Sequence, residues 1–375
     1  MSNKKLSIII LFCDKDRQYL PNLLKQIRTN VKIPHEIVLI DNCTDPIEPD
    51  GDDFKYYAFG YNACQVAGRK KGVEIASGNY MWFVDVDDEV LPIAEDFVKY
   101  MEEDSDVVVF NVQLSKPFFS SVEKDFIIEG NLLQTAVYST IGATLWNKWI
   151  RSRIVRKIER IVPRSARACA LEDTLLVIGA LFYGKKLRFA NRTVYRYRYE
   201  RGFANRADIE SLEAYKIQTK GFLENRNFIL KNFLKNNKTV LVDIVKNTGY
   251  FLTKLFRINS QELLEECIDV YLNDVIDNPN DLKEDFGLAY ITYAEKDPIR
   301  WRWYVEALQK RFPNNPDLDP KKFKEEIPDP EKRPVAYRHY TGTATDKIIV
   351  DKAWSRLTME KSLRRLTDIT FKECI

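Results

Sequence analysis

The stretch YMWFVDVDDEV, Tyr80 to Val90, places a short apolar run directly before a group of acids. Asp85, Asp87, Asp88 and Glu89 lie so close together that their carboxylates repel one another. A carboxylate that is buried without a partner costs several kcal/mol. The stretch therefore predicts one of two things: a solvated turn at the end of a buried strand, or a group of acids that holds a cation.

Two further apolar runs precede this stretch, and both are typical of strands that are covered on both faces. They are LSIIILF at 6–12 and HEIVLID at 35–41. Apolar residues at helical spacing follow the first run at 19–27 and occur again at 62–77, just before the acidic stretch. The alternation of strands and helices predicts an α/β fold with a mostly parallel sheet in three layers.

Acids follow all three runs. The first run leads to Asp14 and Asp16, and the second leads to Asp41 and Asp45. Ligands of parallel α/β sheets bind beyond the carboxyl ends of the strands, so we expect these acids to converge there. Oxygen-rich groups suit hard cations such as Mn²⁺ and Mg²⁺, which bridge to diphosphates. The glycine-rich alternatives GxGxxG and GxxxxGKS/T are absent. The pattern predicts a nucleoside diphosphate held through Mn²⁺ or Mg²⁺.

The order of several stretches resembles that of family 2 glycosyltransferases with the GT-A fold, over roughly residues 5–200. The stretches are SIIILFCDKDRQYLPNLLKQI, HEIVLIDNCTD, AGRKKGVEIASGNYMWFVDVDDEVLP, LWNKWIRSRIV and LEDTLLVIGALFYGKKLRFANRTVYRYR. The resemblance implies a Rossmann-like, mostly parallel sheet flanked by helices. It also implies an inverting, metal-dependent enzyme that moves a sugar from a nucleoside-diphosphate sugar, expected to be UDP-linked, to a hydroxyl of a glycan or lipid-linked glycan.

The resemblance assigns several residues to the sugar donor. Asp41 matches the acid that hydrogen-bonds the nucleotide base, and Asp45 matches the acid that follows it. Arg69 matches the basic residue near the donor phosphates, and Arg198 ends a YRYR that resembles a segment closing over the diphosphate. We assign Asp14, at the end of the first strand, to the same donor site. The chain reads DNCT where the family often has DDGS, so the identity of the nucleotide stays open.

The resemblance also implies a metal site and a general base. Asp85 and Asp87 match the family's DXD motif, which binds the donor ribose and the divalent metal, and Asp88 is its usual acidic neighbour. The LED sequence makes Asp173 the general base and Glu172 its partner at the acceptor site. A positioned base contributes roughly 10²–10⁴-fold, because a hydroxyl is a poor nucleophile. The alternative is that Asp173 is only an acid at a helix N-terminus, where the helix dipole favours it.

The segment 146–167 has a single acid, Glu159, among many arginines and lysines. Its apolar residues predict a basic amphipathic helix over 146–161, with Trp146 and Lys148 in the acceptor region. One interpretation is a surface helix whose arginines lie in solvent. The other is that the segment attracts an anionic acceptor or an anionic membrane surface that holds a lipid-linked sugar. Nucleic acid is a less favoured partner, because no aromatic-basic binding motif accompanies the arginines.

Composition limits the classes of protein. The 375 residues carry a net charge of only +3, so attraction to phosphate must come from local patches. Six scattered cysteines without a CxxC pair predict reduced thiols in a cytosolic protein. The N-terminal apolar run stops at Asp14 without a cleavage site, and no stretch approaches the length of a membrane span. We expect a cytoplasmic protein, with peripheral contact at the inner face of the membrane through 146–167 as an option.

Changes in composition predict three parts. Residues 1–205 are expected to form the GT-A catalytic domain, with 1–112 as the nucleotide-sugar half and 113–205 as the acceptor half. Helical patterns rich in Lys, Asn and Leu predict a helical extension over 206–312. Six of the fifteen prolines lie early in 313–375, which predicts a linker or arm followed by a C-terminal helix. Oligomers could form through the C-terminal helices.

Two other classes of protein compete with this interpretation. A nucleotidyltransferase on a similar α/β sheet would carry a glycine-rich phosphate loop after the first strand, and FCDKDRQYL lacks one. A non-catalytic glycan- or nucleotide-binding protein would have lost an acid at the metal or base position, and all of these acids are present. A glycosyltransferase that modifies nucleic acid is a weaker third option.

Overall fold

The computed structural model describes residues 5–47, 51–114, 124–134, 137–138, 141–162, 171–198, 209–235, 249–276, 282–283, 285–286, 289–290, 293–294 and 297–319. These residues divide into two compact units. The first comprises the described residues up to 198 together with 224–235, and the second comprises 209–223 and the described residues from 249 onward. The three predicted domain boundaries remain predictions.

Four parallel strands form one half of the sheet in the first unit. They are β1 (Leu6–Phe12), β2 (His35–Asp41), β3 (Phe54–Ala58) and β4 (Tyr80–Asp85). Their order is β3-β2-β1-β4, and all three pairings are parallel. In register, Phe12 lies beside Asp41 and Leu11 lies beside Asp85. The predicted convergence of acidic strand ends is confirmed, because parallel pairing brings the carboxyl ends to one edge.

Five more strands complete a mixed sheet. They are β5 (Glu89–Val90), β6 (Val107–Leu114), β7 (Phe126–Glu129), β8 (Lys148–Arg151) and β9 (Lys186–Tyr197). The order continues from β4 through β8, β6 and β9 to β5, and β7 pairs with β9. β8 is antiparallel to both β4 and β6, whereas β6 and β9 are parallel. The predicted mostly parallel GT-A sheet flanked by helices is confirmed.

Helices cover both faces of this sheet. They are α1 (Leu20–Asn30), α2 (Cys64–Ile75), α3 (Val98–Glu102), α4 (Ser152–Ile161) and α5 (Glu172–Tyr183). The apolar side of α1 packs with Ile8 and Ile10 in one hydrophobic core cluster. α2 lies on the other face, where a Cβ at Gly72 would come within 2.5 Å of Ile9. α4 packs against both α2 and α5. The three helices therefore share one layer above the sheet.

Two local predictions are wrong. The predicted helix over 146–161 begins only at Ser152, because Lys148–Arg151 form β8 between β4 and β6. Apolar side chains at 149 and 150 suit a buried strand as well as a helix, so their spacing could not decide. The pattern of LRFANRTVYRYRY, at 187–199, also predicts a hairpin, but Lys186–Tyr197 form the single strand β9, whose pairing with β6 shifts register near Asn111. A bulge absorbs the extra residues, so no turn is needed.

The second unit is helical, as predicted for this region. Its helices are the first part of α6 (Leu212–Asn232), α7 (Gly249–Leu255), α8 (Gln261–Val270) and α9 (Pro298–Arg311). The Ser260 hydroxyl accepts from Leu263 N at the start of α8, and the Asp297 carboxylate accepts from Arg300 N at the start of α9. Both are favourable N-caps. Residues 320–375, which hold most of the predicted Pro-rich arm and C-terminal helix, lie outside the described residues.

None of the helices in the described part of the chain has the length and apolar character needed to cross a membrane.

Candidate active site

The side chain of Arg69 joins α2 to α5. Its guanidinium is 7% exposed, and Nη1 donates a hydrogen bond to Asp173 Oδ1 and lies 3.5 Å from Glu172 Oε1. Both acids belong to the first turn of α5, which follows Leu171 in the left-handed conformation, with φ at 59°. Asp173 keeps 29% of its side chain exposed, so its carboxylate remains open to solvent and to a substrate. Arg69, which the resemblance assigned to the donor phosphates, is therefore adjacent to the predicted base and its partner.

Asp85, at the end of β4, belongs to the same electrostatic group. Burial raises the pKa of Asp85 to about 8, the positive charge of Arg69 opposes this rise, and the charges of Asp87, Asp173 and Glu172 add to it. Charges interact this strongly only when they lie within a few ångströms in a poorly solvated site. The predicted metal-binding acids and the predicted base thus face the same space.

Asp88 stabilises the acidic turn, residues 85–89, by accepting hydrogen bonds from β9 and from the residue after it. Its Oδ2 accepts from the Tyr195 hydroxyl at 2.7 Å, and its Oδ1 accepts from Arg198 N at 2.6 Å. The Tyr195 oxygen also accepts from Asp85 N at 3.1 Å, so one phenol ties both ends of the turn to β9. Burial, together with the charge of Asp85, raises the pKa of Asp88 to about 8. Asp88 therefore acts within the protein, and the contact of Asp85 and Asp87 with a ligand stays a prediction.

Arg198 lies beside this turn. Its Nε donates to Glu89 Oε1 at 2.7 Å, while the other carboxylate oxygen of Glu89 accepts from Arg196 Nη1 at 2.7 Å. Burial opposes ionisation of Glu89, but these arginines outweigh it and hold its pKa below the usual value. Glu89 thus places the Arg198 guanidinium next to the metal-binding motif. The closing of Arg198 over a diphosphate stays a prediction.

Asp41, which was predicted to hydrogen-bond the nucleotide base, is buried against other parts of the protein. Its side chain is 0% exposed, and its oxygens accept from Cys43 N at 2.7 Å, Ile47 N at 3.1 Å and the Tyr56 hydroxyl at 2.6 Å. These donors come from the loop after β2 and from β3. Asp41 therefore shapes the base-binding loop, and the structure does not leave its carboxylate accessible for the direct contact with a base that the resemblance implied.

Asp14 and Asp45 lie at the exposed rim of the same loop. Asp14 Oδ2 accepts from both the backbone N and the hydroxyl of Thr44, each at 3.0 Å. The carbonyl of Asp45 accepts from Arg17 Nη1 at 3.5 Å. The structure therefore joins the ends of β1 and β2, as the donor assignment of these two acids requires. Their contact with a donor remains a prediction.

Asp16 is the acid of the first strand end that approaches the metal-binding motif. Burial raises the pKa of Asp16 to about 6, the hydrogen bond from Cys13 N opposes this rise, and the charge of Asp87 adds to it. The sequence placed Asp14 and Asp16 equally near the ligand edge. Of these two acids it is Asp16, directly before the short 3₁₀ turn Arg17–Tyr19, on which the charge of Asp87 acts.

The acids at the end of β4 suit a divalent cation. Burial makes the negative charges of Asp85 and Asp16 costly, and the charge of Asp87 adds to this cost at both residues. Within the described ranges no group of three or more His, Cys, Asp or Glu side chains is arranged to hold a metal ion. Asp85 and Asp87 together would supply the one or two carboxylates that Mg²⁺ characteristically takes from a protein before water and substrate phosphates complete its shell, so these two residues would fit Mg²⁺ or Mn²⁺.

The two residues assigned to the acceptor region have different surroundings. The ring of Trp146 stacks on Tyr195 at 5.2 Å and on Tyr197 at 5.6 Å, so it packs beside the acidic turn. Lys148 is 0% exposed, and Nζ donates to the carbonyls of Ile141 and Thr144 and to Asn147 Oδ1. The expected contact of Lys148 with an acceptor is therefore not supported, because its ammonium group anchors the loop before β8.

Sequence reasoning missed three supporting residues. Tyr56 and Tyr195 orient carboxylates through their hydroxyls, and Glu159 on α4 is buried near Arg69 and Lys70. Burial raises the pKa of Glu159 to about 7, and the charges of Lys70 and Arg69 oppose this rise. The one sequence signal was that Glu159 is the single acid in a basic segment. The tyrosines gave no signal, because their partners lie far away in sequence.

One family model and several known proteins are similar to part of this chain. Residues 7–158 match the model of glycosyl transferase family 2. An uncharacterized glycosyltransferase, YibD of Escherichia coli K12, is 35% identical over 124 residues, which is 29% of this chain and 34% of YibD. The chain thus spans about a third of the length of this curated relative. The family match ends before Glu172 and Asp173.

Solved structures with a similar course of the chain include two of TarS from S. aureus. TarS 1–349 in complex with UDP-GlcNAc has a TM-score of 0.48 and 17% identity, over 96% of this chain and 92% of that chain. A second TarS structure has a TM-score of 0.48 and 18% identity, over 86% of this chain and 55% of that chain.

Proposed function

We propose, from the premise that residues 7–158 form a family 2 glycosyltransferase domain, that this protein is an inverting glycosyltransferase. It transfers a sugar from a nucleoside-diphosphate sugar, UDP-linked, to a hydroxyl of a glycan or lipid-linked glycan. The observation that carries the proposal is the contact of Arg69 with Asp173 and Glu172 beside Asp85. It joins Arg69, inside the matched range 7–158, to acids that lie beyond its end.

Asp173 is the general base of this reaction. Its partly exposed carboxylate removes the proton from the acceptor hydroxyl as the oxygen attacks the anomeric carbon and the bond to the diphosphate breaks. Arg69 and Glu172 orient this carboxylate, because the guanidinium contacts both acids. A base on the face opposite the leaving group gives one displacement with inversion.

Asp85 and Asp87 hold a divalent cation, Mn²⁺ or Mg²⁺, in this proposal. When bound, the cation neutralises the charge that develops on the leaving diphosphate. Asp88 and Tyr195 keep the turn in place, and Arg198 adds positive charge at its side. Asp41 acts indirectly, by fixing the loop that carries Asp45.

The test is an assay of donor cleavage and transfer. The full chain is incubated with Mn²⁺ or Mg²⁺, a panel of sugar nucleotides and glycan acceptors, and free nucleoside diphosphate is measured. We expect release with one donor, loss of release with EDTA, and an inverted anomeric configuration in the product. A nucleotidyltransferase would release pyrophosphate instead. No release with any donor, together with no donor-dependent thermal shift, would refute the proposal.

A further inference from the structure

The solvent face of α4 carries a basic stripe. Arg153, Lys157 and Arg160 are exposed one after another along the helix, and Ile161 follows with 41% of its side chain exposed. The opposite face of α4 packs inward through Ile154, Val155 and Ile158. The acid of this helix, Glu159, is buried. Every charged side chain that α4 presents to solvent is therefore positive.

The end of α5 extends this stripe. Lys157 Nζ lies 3.9 Å from the centroid of the Tyr183 ring, and the preceding residue, Phe182, is 40% exposed. Arg153 Nη2 and Lys185 N donate to the two carboxylate oxygens of Asp106, at 2.9 Å and 2.8 Å. The same aspartate thus joins the start of α4 to the residue just beyond α5.

These contacts define one surface, called the basic face below. It comprises Arg153, Lys157, Arg160, Ile161, Phe182 and Lys185. Asp106 lies beneath it and is almost fully buried. Asp104 borders it and forms an ion pair with Arg151 at 2.6 Å. The basic face therefore presents four basic side chains, of which Arg153 is ion-paired with Asp106, and two partly exposed apolar side chains.

We propose that the basic face binds the surface of an anionic lipid bilayer. Lysines and arginines are attracted to anionic head groups, and this attraction amounts to about fivefold in affinity per cation. Aliphatic and aromatic side chains among the cations gain free energy by entering the interfacial region of the bilayer. A soluble polyanion would use the cations but would leave Ile161 and Phe182 in water, so the apolar pair favours lipid. This binding does not depend on the proposed transfer reaction.

Vesicle sedimentation tests the proposal. The full chain is mixed with sucrose-loaded vesicles of phosphatidylcholine containing or lacking phosphatidylglycerol. We expect binding to the anionic vesicles, weakened by salt, and little binding to the neutral ones. The double variant Lys157→Glu/Arg160→Glu should lose about 25-fold or more in partitioning, since two cations are removed. Ile161→Ser should weaken binding to vesicles without changing binding to soluble polyphosphate.

A matched variant controls for charge. Lys25→Glu/Lys32→Glu makes the same change in net charge at exposed positions on and just after α1, on the opposite face of the sheet. It should partition like the wild type. Three results would each overturn the proposal. The first is an equal loss of binding in both double variants, and the second is equal binding to neutral and anionic vesicles. The third is tight binding to polyphosphate together with vesicle binding that Ile161→Ser does not change. Nucleoside-diphosphate release is measured separately, so failure of the proposed reaction remains distinguishable.

Discussion

The Arg69 guanidinium on α2 bonds the Asp173 carboxylate at the start of α5, although the two residues are 104 positions apart. The contact brings an arginine from the matched family domain to an acid beyond its end. The pair is largely buried on the Arg69 side and partly open on the Asp173 side. This asymmetry suits a base that is held from behind by protein and approached from the front by substrate.

The first prediction concerns the base. Asp173→Asn should lower the rate of sugar transfer by roughly 10²–10⁴-fold, because the amide cannot take the acceptor proton. Donor affinity should stay near that of the wild type, since the amide oxygen can still accept from Arg69. Transfer rates and donor titrations by calorimetry measure the two effects. Asp52→Asn, at an exposed position, is the control. Normal transfer by Asp173→Asn would show that the base is another group.

The second prediction concerns the cation. Asp87→Ala should weaken Mn²⁺-dependent donor binding by more than about tenfold, because loss of even an outer-shell partner of a metal costs 10–100-fold. Binding of the donor in EDTA should not change. Calorimetric titrations with and without Mn²⁺ separate the two components. If the metal-dependent component were the same in Asp87→Ala and the wild type, the metal assignment would be wrong.

The third prediction concerns the Tyr195 hydroxyl, which bonds Asp88 and Asp85 N. Tyr195→Phe keeps the stacking with Trp146 but frees the acidic turn. A hydrogen bond between uncharged groups contributes about 0.5–1.5 kcal/mol, so Mn²⁺-dependent donor affinity should fall by about two- to tenfold. Tyr197→Phe, which removes the hydroxyl of the other ring stacked on Trp146, is the matched control. An equal effect in both variants would contradict a specific role for Tyr195.

The fourth prediction concerns stability at the sheet edge opposite the site. Glu36 accepts from the Ser7 hydroxyl at 2.6 Å, the Ser77 hydroxyl at 2.6 Å and Gly78 N at 3.0 Å. Burial opposes ionisation of Glu36, but these bonds and Lys55 outweigh it and hold the pKa well below the usual range. Glu36→Gln should therefore lower the free energy of unfolding at pH 7 by about 2–3 kcal/mol.

The pH dependence of this effect has a definite sign. The folded-state pKa of Glu36 is depressed, so the ionised form stabilises the fold above the unfolded value of about 4.3. This stabilisation is lost progressively as the pH falls below that value. Urea unfolding should show a large difference between wild type and Glu36→Gln at pH 7 and a smaller one at pH 3. Glu74→Gln, an exposed control, should change stability by less than about 0.5 kcal/mol.

Much of the fold could be predicted from local pattern. The runs that became β1, β2 and β4 and the helices α1 and α2 carried periodicities that only one element type satisfies. The prediction failed at 148–151, where apolar and basic residues fit either element. At these residues a strand forms because β4 and β6 provide backbone hydrogen-bond partners on both sides.

The candidate site was predicted in its residue types more than in their roles. Glu172 and Asp173 lie beside Asp85, as expected. Asp41 and Lys148 were expected to meet ligands, and both side chains are buried with protein partners instead. Burial is a property of the packed molecule, so no pattern around these two residues could reveal it.

The sequence by itself determined that acidic strand ends meet at one edge of a mostly parallel sheet, because strands that alternate with helices pair in parallel and so end on the same side. Only the tertiary structure decided which of these acids are available to a ligand. The Tyr56 hydroxyl donates a hydrogen bond to Asp41 and the Tyr195 hydroxyl donates one to Asp88, whereas the Asp173 side chain stays partly exposed. The physical reason is that a carboxylate's donors come from segments distant in the chain, and folding alone brings them within hydrogen-bonding distance.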